Sequence, residues 1–318
     1  QSFNLTSPKQ LGELLFETLG LPSSKKTKSG YSTDAEVLEA IQEMHPVVPL
    51  VLQFRTLSKL KSTYIDGLLK LSDQEGIVHT TLNQTVTVTG RISSAEPNLQ
   101  NIPVRTELGR EIRKVFVPRQ PGRLLVDADY SQIELRVLAH MAGEENMIRA
   151  FRQGQDIHAQ TAAKVYGVAL DQVSPAMRSS AKAVNFGIVY GISDFGLAKN
   201  IGVSRREAAD FIERYFAQYP AVRDFMDRCV KTAKEQGYVA TLLGRRRAIP
   251  ELRSSNYNTR SFGERAAMNT PVQGSAADII KVAMVRVHRA LQEEGLRAKL
   301  ILQVHDELIV DAPAEEAQ

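Results

Sequence analysis

The stretch from Leu124 to Leu138, LLVDADYSQIELRVL, constrains this chain more than any other. An apolar run of Leu124, Leu125 and Val126 reads as a buried strand. The run stops at Asp127 and Asp129, and a helix follows. Ser131 and Glu134 stand at the spacing of a capping box, and Ile133, Leu135, Val137 and Leu138 supply a buried side. Asp129 therefore sits where a strand meets a helix N-terminus, rigidly mounted and open on one side, as a metal ligand has to be. Taken alone, the same residues are a turn aspartate and a cap. The chemical reading comes from a second carboxylate site far down the chain and from a basic helix between the two.

The second site is His305-Asp306-Glu307, between strands expected at Leu300–Val304 and Leu308–Asp311. A hairpin tip built from these residues is less stable than one built from Asn-Gly, and a local rule broken at one tight turn points to function. Two strand-end carboxylates, Asp129 and Asp306, suit a two-metal site, with Mg²⁺ ions roughly 3.5–4 Å apart. Mg²⁺ takes few protein carboxylates and completes its shell with water and substrate phosphates. No GxxxxGK[ST] run is present, which excludes the P-loop route to a nucleotide.

The basic helix starts at Ser174-Pro175 and carries Arg178, Lys182, Phe186 and Tyr190 at intervals of four. That spacing makes a slanting stripe on one face, two cations followed by two rings. Such a stripe can hold a triphosphate on Arg178 and Lys182, near the positive end of the helix dipole, while a base stacks by Phe186. The alternative is a helix that buries Phe186 and Tyr190 and leaves its cations in water. His158, beside Thr161 and Ala162, is either structural or a donor to phosphate.

Elsewhere the pattern is helical and basic. Ser7-Pro8 opens the first helix, Thr33 to Glu36 reads as a second capping box, and a long helix runs from Leu50 to Leu71. Basic residues cluster at Lys25, Lys26 and Lys28, at Lys59 and Lys61, at Arg110, Arg113 and Lys114, and at Arg245, Arg246 and Arg247. Each alone is a solvated face; together they point to a polyanionic partner. Thr and Val alternate before Gly90, a strand signal, and the following loop is dense in Asn98, Gln100 and other amides able to bond sugars, base edges and phosphates. Ser204 to Glu207 is a further capping box, Pro220 opens another helix, and residues 238–252 read as a hairpin with the arginines at its turn. A last helix, 261–292, carries Arg265, Asn269 and Gln273 on one stripe, a groove wall. The one cysteine, Cys229, excludes an internal disulfide and a cysteine zinc site. No apolar run approaches the ~20 residues a membrane helix needs, and the first residues have no signal-peptide pattern.

Three motifs, VDADYSQIELR at 126–136, RSSAKAVNFGIVYG at 178–191 and QVHDE at 303–307, closely resemble the polymerase region of family A DNA polymerases, the bacterial DNA polymerase I type. The segments 59–68, 89–105 and 266–281 are similar too, so the resemblance covers nearly the whole chain. It implies an α+β right-hand fold with an antiparallel palm sheet, helical fingers and a helical thumb. The expected divisions are a thumb over 1–76, palm over 77–140, fingers over 141–265 and the rest of the palm over 266–318. The resemblance also leads us to expect that the chain begins partway through the thumb, stops before the last strand and helix, and lacks proofreading and 5′-nuclease domains.

The implied activity is template-directed DNA synthesis from primer-template DNA and dNTPs with two Mg²⁺ ions, Mn²⁺ able to substitute. A cytoplasmic, nucleoid-associated monomer with no membrane partner is expected. By resemblance, Asp129 and Asp306 are metal ligands, with the Tyr130 carbonyl assisting. Glu134 is the gate against a ribose 2′-OH; Arg178 and Lys182 bind the triphosphate with Gln132 and His158; Lys182 protonates the departing pyrophosphate. Phe186 packs on the incoming sugar and disfavours dideoxynucleotides, and Tyr190 stacks on the template side. Arg91, Arg265, Asn269 and Gln273 line the minor groove; His305 lies near the primer end; Glu307 is an auxiliary carboxylate. Lys59, Lys61, Asn98 and Gln100 complete the DNA contacts. A single-subunit RNA polymerase shares the aspartates and the Arg/Lys helix, but Glu134 and Phe186 argue against it; a silent nucleic-acid clamp has no use for Asp129, Lys182 and Asp306 together.

Overall fold

Two compact units divide the chain, Gln1–Thr81 with Ala95–Phe116, and Leu82–Ser94 with Val117–Gln318. The computed structural model describes residues 3–27, 30–104 and 106–317. Lys28 of the first basic cluster and Arg105 at the end of the 89–105 motif lie outside the described residues.

The first unit is mainly helical. Ser7 caps its opening helix by accepting from the Gln10 amide, with Pro8 at the first helical position, as the sequence predicts. The Thr33–Glu36 box does not form: Asp34 is the cap and accepts from the Val37 amide, while the Arg55 guanidinium takes Thr33 through both its carbonyl and its hydroxyl. The long helix starts at Val47 and runs through to Leu71, with a wider π-type stretch at Leu60–Asp66. Leu11, Leu15, Phe16, Leu38, Val48 and Val51 form the core. The Thr/Val alternation predicted as a strand falls in the second unit and is mostly irregular. Thr81–Asn83 pairs with Ser93–Ala95, but Val86 and Val88 are 68% and 65% exposed, so the alternation has no buried face to pack.

In the second unit a three-stranded antiparallel sheet carries the two motif aspartates. Its strands are β1 (Arg123–Asp129), β2 (Lys299–Val304) and β3 (Glu307–Pro313), in the order β1-β3-β2. Residues Leu124–Val126 do not make the buried strand the sequence suggests. β1 is an edge strand, and Leu124 and Leu125 are 50% and 37% exposed. The register sets Asp129 opposite Glu307, so the strand's end is pinned beside the β2–β3 turn. Arg123 holds the other end, donating to the Asp311 carboxylate at 2.5 Å and to the Asp311 carbonyl at 2.9 Å.

Between β1 and β2 in sequence come the helices α1 (Ile133–Ala142), α2 (Ile157–Tyr166), α3 (Pro175–Val189), α4 (Arg205–Gln218), α5 (Pro220–Gln236) and α6 (Tyr257–Glu293). Ser204 and Glu207 form the predicted reciprocal capping box of α4, and Ser174 caps α3. Leu135, Leu138, Met147, Ile157, Val184, Tyr215 and Val272 meet in one core drawn from α1, α2, α3, α4 and α6 with the short helix Glu145–Arg152. The hairpin Tyr238–Ala240 with Arg246–Ala248 forms as predicted, and Arg245 and Arg246 are exposed there, although all three arginines have local partners. Arg245 pairs with the buried Asp278, Arg246 lies over the Tyr238 ring, and Arg247 donates to Thr270. The hairpin lies tight against α6 because Gly274 has no Cβ; one there would stand 2.6 Å from Thr241 Cγ2.

Candidate active site

Asp129 ends β1, and Asp306 occupies the two-residue turn between β2 and β3. The Tyr130 amide donates to the Asp306 carbonyl at 3.1 Å, so the two aspartates are neighbours, with Glu307 across the ladder from Asp129. Burial, then the charges of Asp306 and Asp127, hold the Asp129 carboxyl above its ordinary range. Neither Asp129 nor Asp306 has an ion-pair partner among the described residues. No group of three or more His, Cys, Asp or Glu side chains placed to hold a metal is found among the described residues. The backbone is strained here. Of three non-glycine residues with left-handed φ among those described, Gln132 (55°) and His305 (53°) flank this pair of aspartates. Each costs roughly 1–2 kcal/mol, and such strain concentrates at functional sites.

The Ser131–Glu134 capping box does not form. Gln132 is the residue before α1, its side chain caps nothing, and its Oε1 is buried without a partner among the described residues. Glu134 turns the other way. It is 5% exposed, ion-paired with Arg91, and accepts from the Tyr190 hydroxyl at 2.8 Å. A buried carboxylate needs such partners, and here they fix it in one rotamer at the start of α1. Tyr190 is pushed above its ordinary range, first by burial and then by Glu134, with Asp306 adding to the effect. Thus the phenol stays protonated and keeps donating. The Arg91–Glu134–Tyr190 link joins three segments that sequence reading treated separately; a glutamate on a helix's apolar side was the signal for it.

On α3 the stripe lies along the side the core does not use. Ala181, Val184, Asn185, Ile188 and Val189 are buried, whereas Arg178 and Lys182 are exposed, Phe186 is half-buried and Tyr190 is partly exposed. Arg178 donates to Asp156 at 2.6 Å, and Asp156, despite partial burial, is held below its ordinary range by that contact and by the amides it caps. His158 is 2% exposed and its Nδ1 lies 2.9 Å from Asn185 Nδ2, with its ring 5.7 Å from that of Phe186. Burial lowers His158 from 6.5 to about 4, with Asp156 opposing and Arg178 and Lys182 contributing, so the ring is neutral near pH 7.

Arg265, Asn269 and Gln273 follow one another along α6, and Arg265 begins beside the end of α3. A Cβ at Gly191, whose φ is +66°, would stand 2.8 Å from Met268 Cε and 3.1 Å from Arg265 Cγ. Asn269 Oδ1 is buried without a partner among the described residues. His305 is exposed at its turn. The remaining candidates belong to the first unit. Lys59 and Lys61 are exposed, with Lys61 paired to Asp66 at 2.6 Å, and Asn98 accepts from the Gln100 amide at 3.0 Å. The other basic clusters are partly committed to local pairs, Lys25 to Asp34, Lys26 over Tyr31 and Lys114 to Glu111.

A model of DNA polymerase family A matches residues 1–318. The chain is 59% identical over 319 residues to DNA polymerase I of Geobacillus stearothermophilus, covering 100% of this chain and 36% of that protein. It is 57% identical over 319 residues to DNA polymerase I of Bacillus subtilis (strain 168), again covering 100% and 36%. The chain thus spans little more than a third of the length of these curated relatives. Among solved structures, it is similar to the POL domain of Pol1 from M. smegmatis in complex with DNA primer-template and dNTP. The TM-score is 0.93 at 48% identity, covering 99% of this chain and 56% of that one.

Proposed function

The chain belongs to DNA polymerase family A, and from that premise we propose that it adds deoxynucleotides to a primer 3′-OH as a template directs, releasing pyrophosphate. The observation that carries this reading is the pairing of Asp129 and Asp306 at adjoining strand ends, in the same unit as a helix whose exposed side carries Arg178 and Lys182. The proposed division of labour is thumb over 1–76, palm over 77–140 and 266–318, and fingers over 141–265. It is supported by the helical character of the first segment and by a sheet assembled from 123–129 and 299–313.

The donors suit a hard dication. They are carboxylate oxygens, without an ion-pair partner among the described residues, and one is raised by burial and then by its neighbours' charge. Asp129 and Asp306, with the Tyr130 carbonyl, would hold the Mg²⁺ ions, and Glu307 would support them. When bound, such ions activate the attacking oxygen and stabilise the leaving one. The protein's own groups do the rest. Arg178 and Lys182 bind the triphosphate, with Gln132 and His158 beside them, and Arg178 has to share or leave Asp156 to do so. Lys182 gives its proton to the departing pyrophosphate. Glu134, immobilised by Arg91 and Tyr190, occupies the space a 2′-OH would need. Phe186 packs on the sugar, and Tyr190 stacks on the template side. Arg91, Arg265, Asn269 and Gln273 line the minor groove, His305 meets the primer end, and Lys59, Lys61, Asn98 and Gln100 touch DNA. The partners are therefore primer-template DNA and dNTPs, with the chain acting as a monomer in a bacterial cytoplasm at the nucleoid. Among the described residues no helix is long and apolar enough to cross a membrane.

Single-nucleotide extension of a primed DNA template tests the reading. The dNTP complementary to the next template base should be added in preference to the other three and to its ribonucleotide. Preference for the ribonucleotide would sink it.

A further inference from the structure

Behind the cationic stripe of α3 lies a chain of buried polar groups that ends on His158. Tyr219 and Thr161 stand 3.2 Å apart through their hydroxyls, Thr161 donates to Asn185 Oδ1 at 3.1 Å, and Asn185 Nδ2 lies 2.9 Å from His158 Nδ1. All four residues are almost completely buried. Four polar side chains inside an apolar core of α2, α3 and α4 are costly unless each is satisfied, so the direction of the chain matters.

One direction gives both buried hydroxyls an acceptor. The Thr161 proton goes to Asn185 Oδ1, so the Tyr219 hydroxyl donates to Thr161, and Asn185 turns its amide N–H toward His158. The reverse direction would have Asn185 donate to Thr161 and Thr161 donate to Tyr219. The Tyr219 proton would then have no acceptor among the described residues. In the first arrangement Nδ1 of His158 is an acceptor, and the ring's one proton is on Nε2. That nitrogen has no partner among the described residues.

We infer that Asn185, oriented by Thr161 and Tyr219, is a positioning residue that locks His158 in the neutral Nε2–H form, so that the ring always offers a donor to the triphosphate. The inference rests on the reading of His158 as a phosphate neighbour. It explains how a buried, neutral histidine serves beside two cations: it gives a hydrogen bond without adding a third charge. The charged groups that bear on the ring are Asp156 at the cap of α2 and Arg178 and Lys182 on α3; Glu144 bears on Tyr219 instead.

The first test reads the wild-type ring and uses a variant only to assign its signals. In a long-range ¹H–¹⁵N spectrum of the full chain, the His158 signals, identified by their loss in His158→Gln, should show a bare Nδ1 and a protonated Nε2 near pH 7. A proton on Nδ1, or an even mixture, overturns the inference. The second test is Asn185→Asp. A carboxylate there takes the proton onto Nδ1 and leaves Nε2 bare until the ring gains a second proton. Apparent dNTP affinity should therefore fall roughly tenfold or more at alkaline pH, the scale of one hydrogen bond to a charged group. It should recover as the pH falls, whereas the wild type stays flat in this respect. An Asn185→Asp enzyme with wild-type dNTP dependence at both ends of the range contradicts the inference. If His158→Gln leaves dNTP affinity unchanged, the phosphate-neighbour reading fails instead, and the spectrum still decides the tautomer.

Discussion

In the proposed function, Glu134 carries a selection rule on one side chain. A buried carboxylate held by a guanidinium and a phenol cannot swing aside at low cost, because leaving them exposes a charge in a place built to satisfy it. Glu134→Ala should accordingly raise the ratio of ribonucleotide to deoxynucleotide incorporation by roughly tenfold or more, about 1.4 kcal/mol in the difference of barriers. Competing rNTP and dNTP in single-turnover extension measures it, and an unchanged ratio removes Glu134 from that role. The motif singled out this glutamate, but its spacing from Ser131 suggested a cap. The error has a physical source: spacing reports which amides a carboxylate can reach, not which buried cation competes for it. Arg91 is distant in sequence, so its claim on Glu134 had no local signal. His158 makes a second prediction at this scale. Its folded value of about 4 lies below the ordinary 6.5, so between those values the unfolded chain binds more protons. The stability from the neutral ring is complete above about 6.5 and is lost as pH falls toward 4. Urea midpoints of wild type and His158→Gln should diverge across that window, the variant showing the smaller pH slope; parallel slopes would contradict the burial argument.

The helices were the most legible elements, because their ends are written in local chemistry. Ser7-Pro8, Ser174-Pro175 and the Ser204–Glu207 box all form where the residues predict. The strands were less legible. Leu124–Val126 is as apolar as a central strand yet lies at a sheet edge, and the Thr/Val run near residue 86 has the right period but nothing to pack against. Period reports a face, whereas burial depends on what the rest of the chain brings to it. The close approach of the 238–248 hairpin to α6 was invisible for the same reason, although Gly274 marks it afterwards. Gly274→Ala should destabilise the second unit by about 1–3 kcal/mol, since the new methyl meets Thr241 Cγ2 at 2.6 Å and the Thr89 carbonyl at 3.2 Å. Chemical denaturation followed by circular dichroism reads this directly; an unchanged midpoint would mean that the hairpin moves away freely.

At the scale of the whole molecule, the proposed chemistry depends on two carboxylates that the chain places far apart and the sheet brings together. The motifs made both visible in the sequence, and the antiparallel register of β1 and β3 supplies the juxtaposition. The basic clusters were a poorer guide. Arg245, Lys25, Lys61 and Lys114 engage neighbouring carboxylates, so counting cations overstated what remains for a polyanion. The most direct test is primer extension on a primed DNA template with Mg²⁺ and dNTPs, comparing wild type with Asp306→Asn, alongside DNA binding by both. Templated extension by the wild type is expected, with loss of extension but retained DNA binding in the variant. Equal extension by the two proteins would contradict the assignment of Asp306, and with it the two-carboxylate centre on which the proposed function is built.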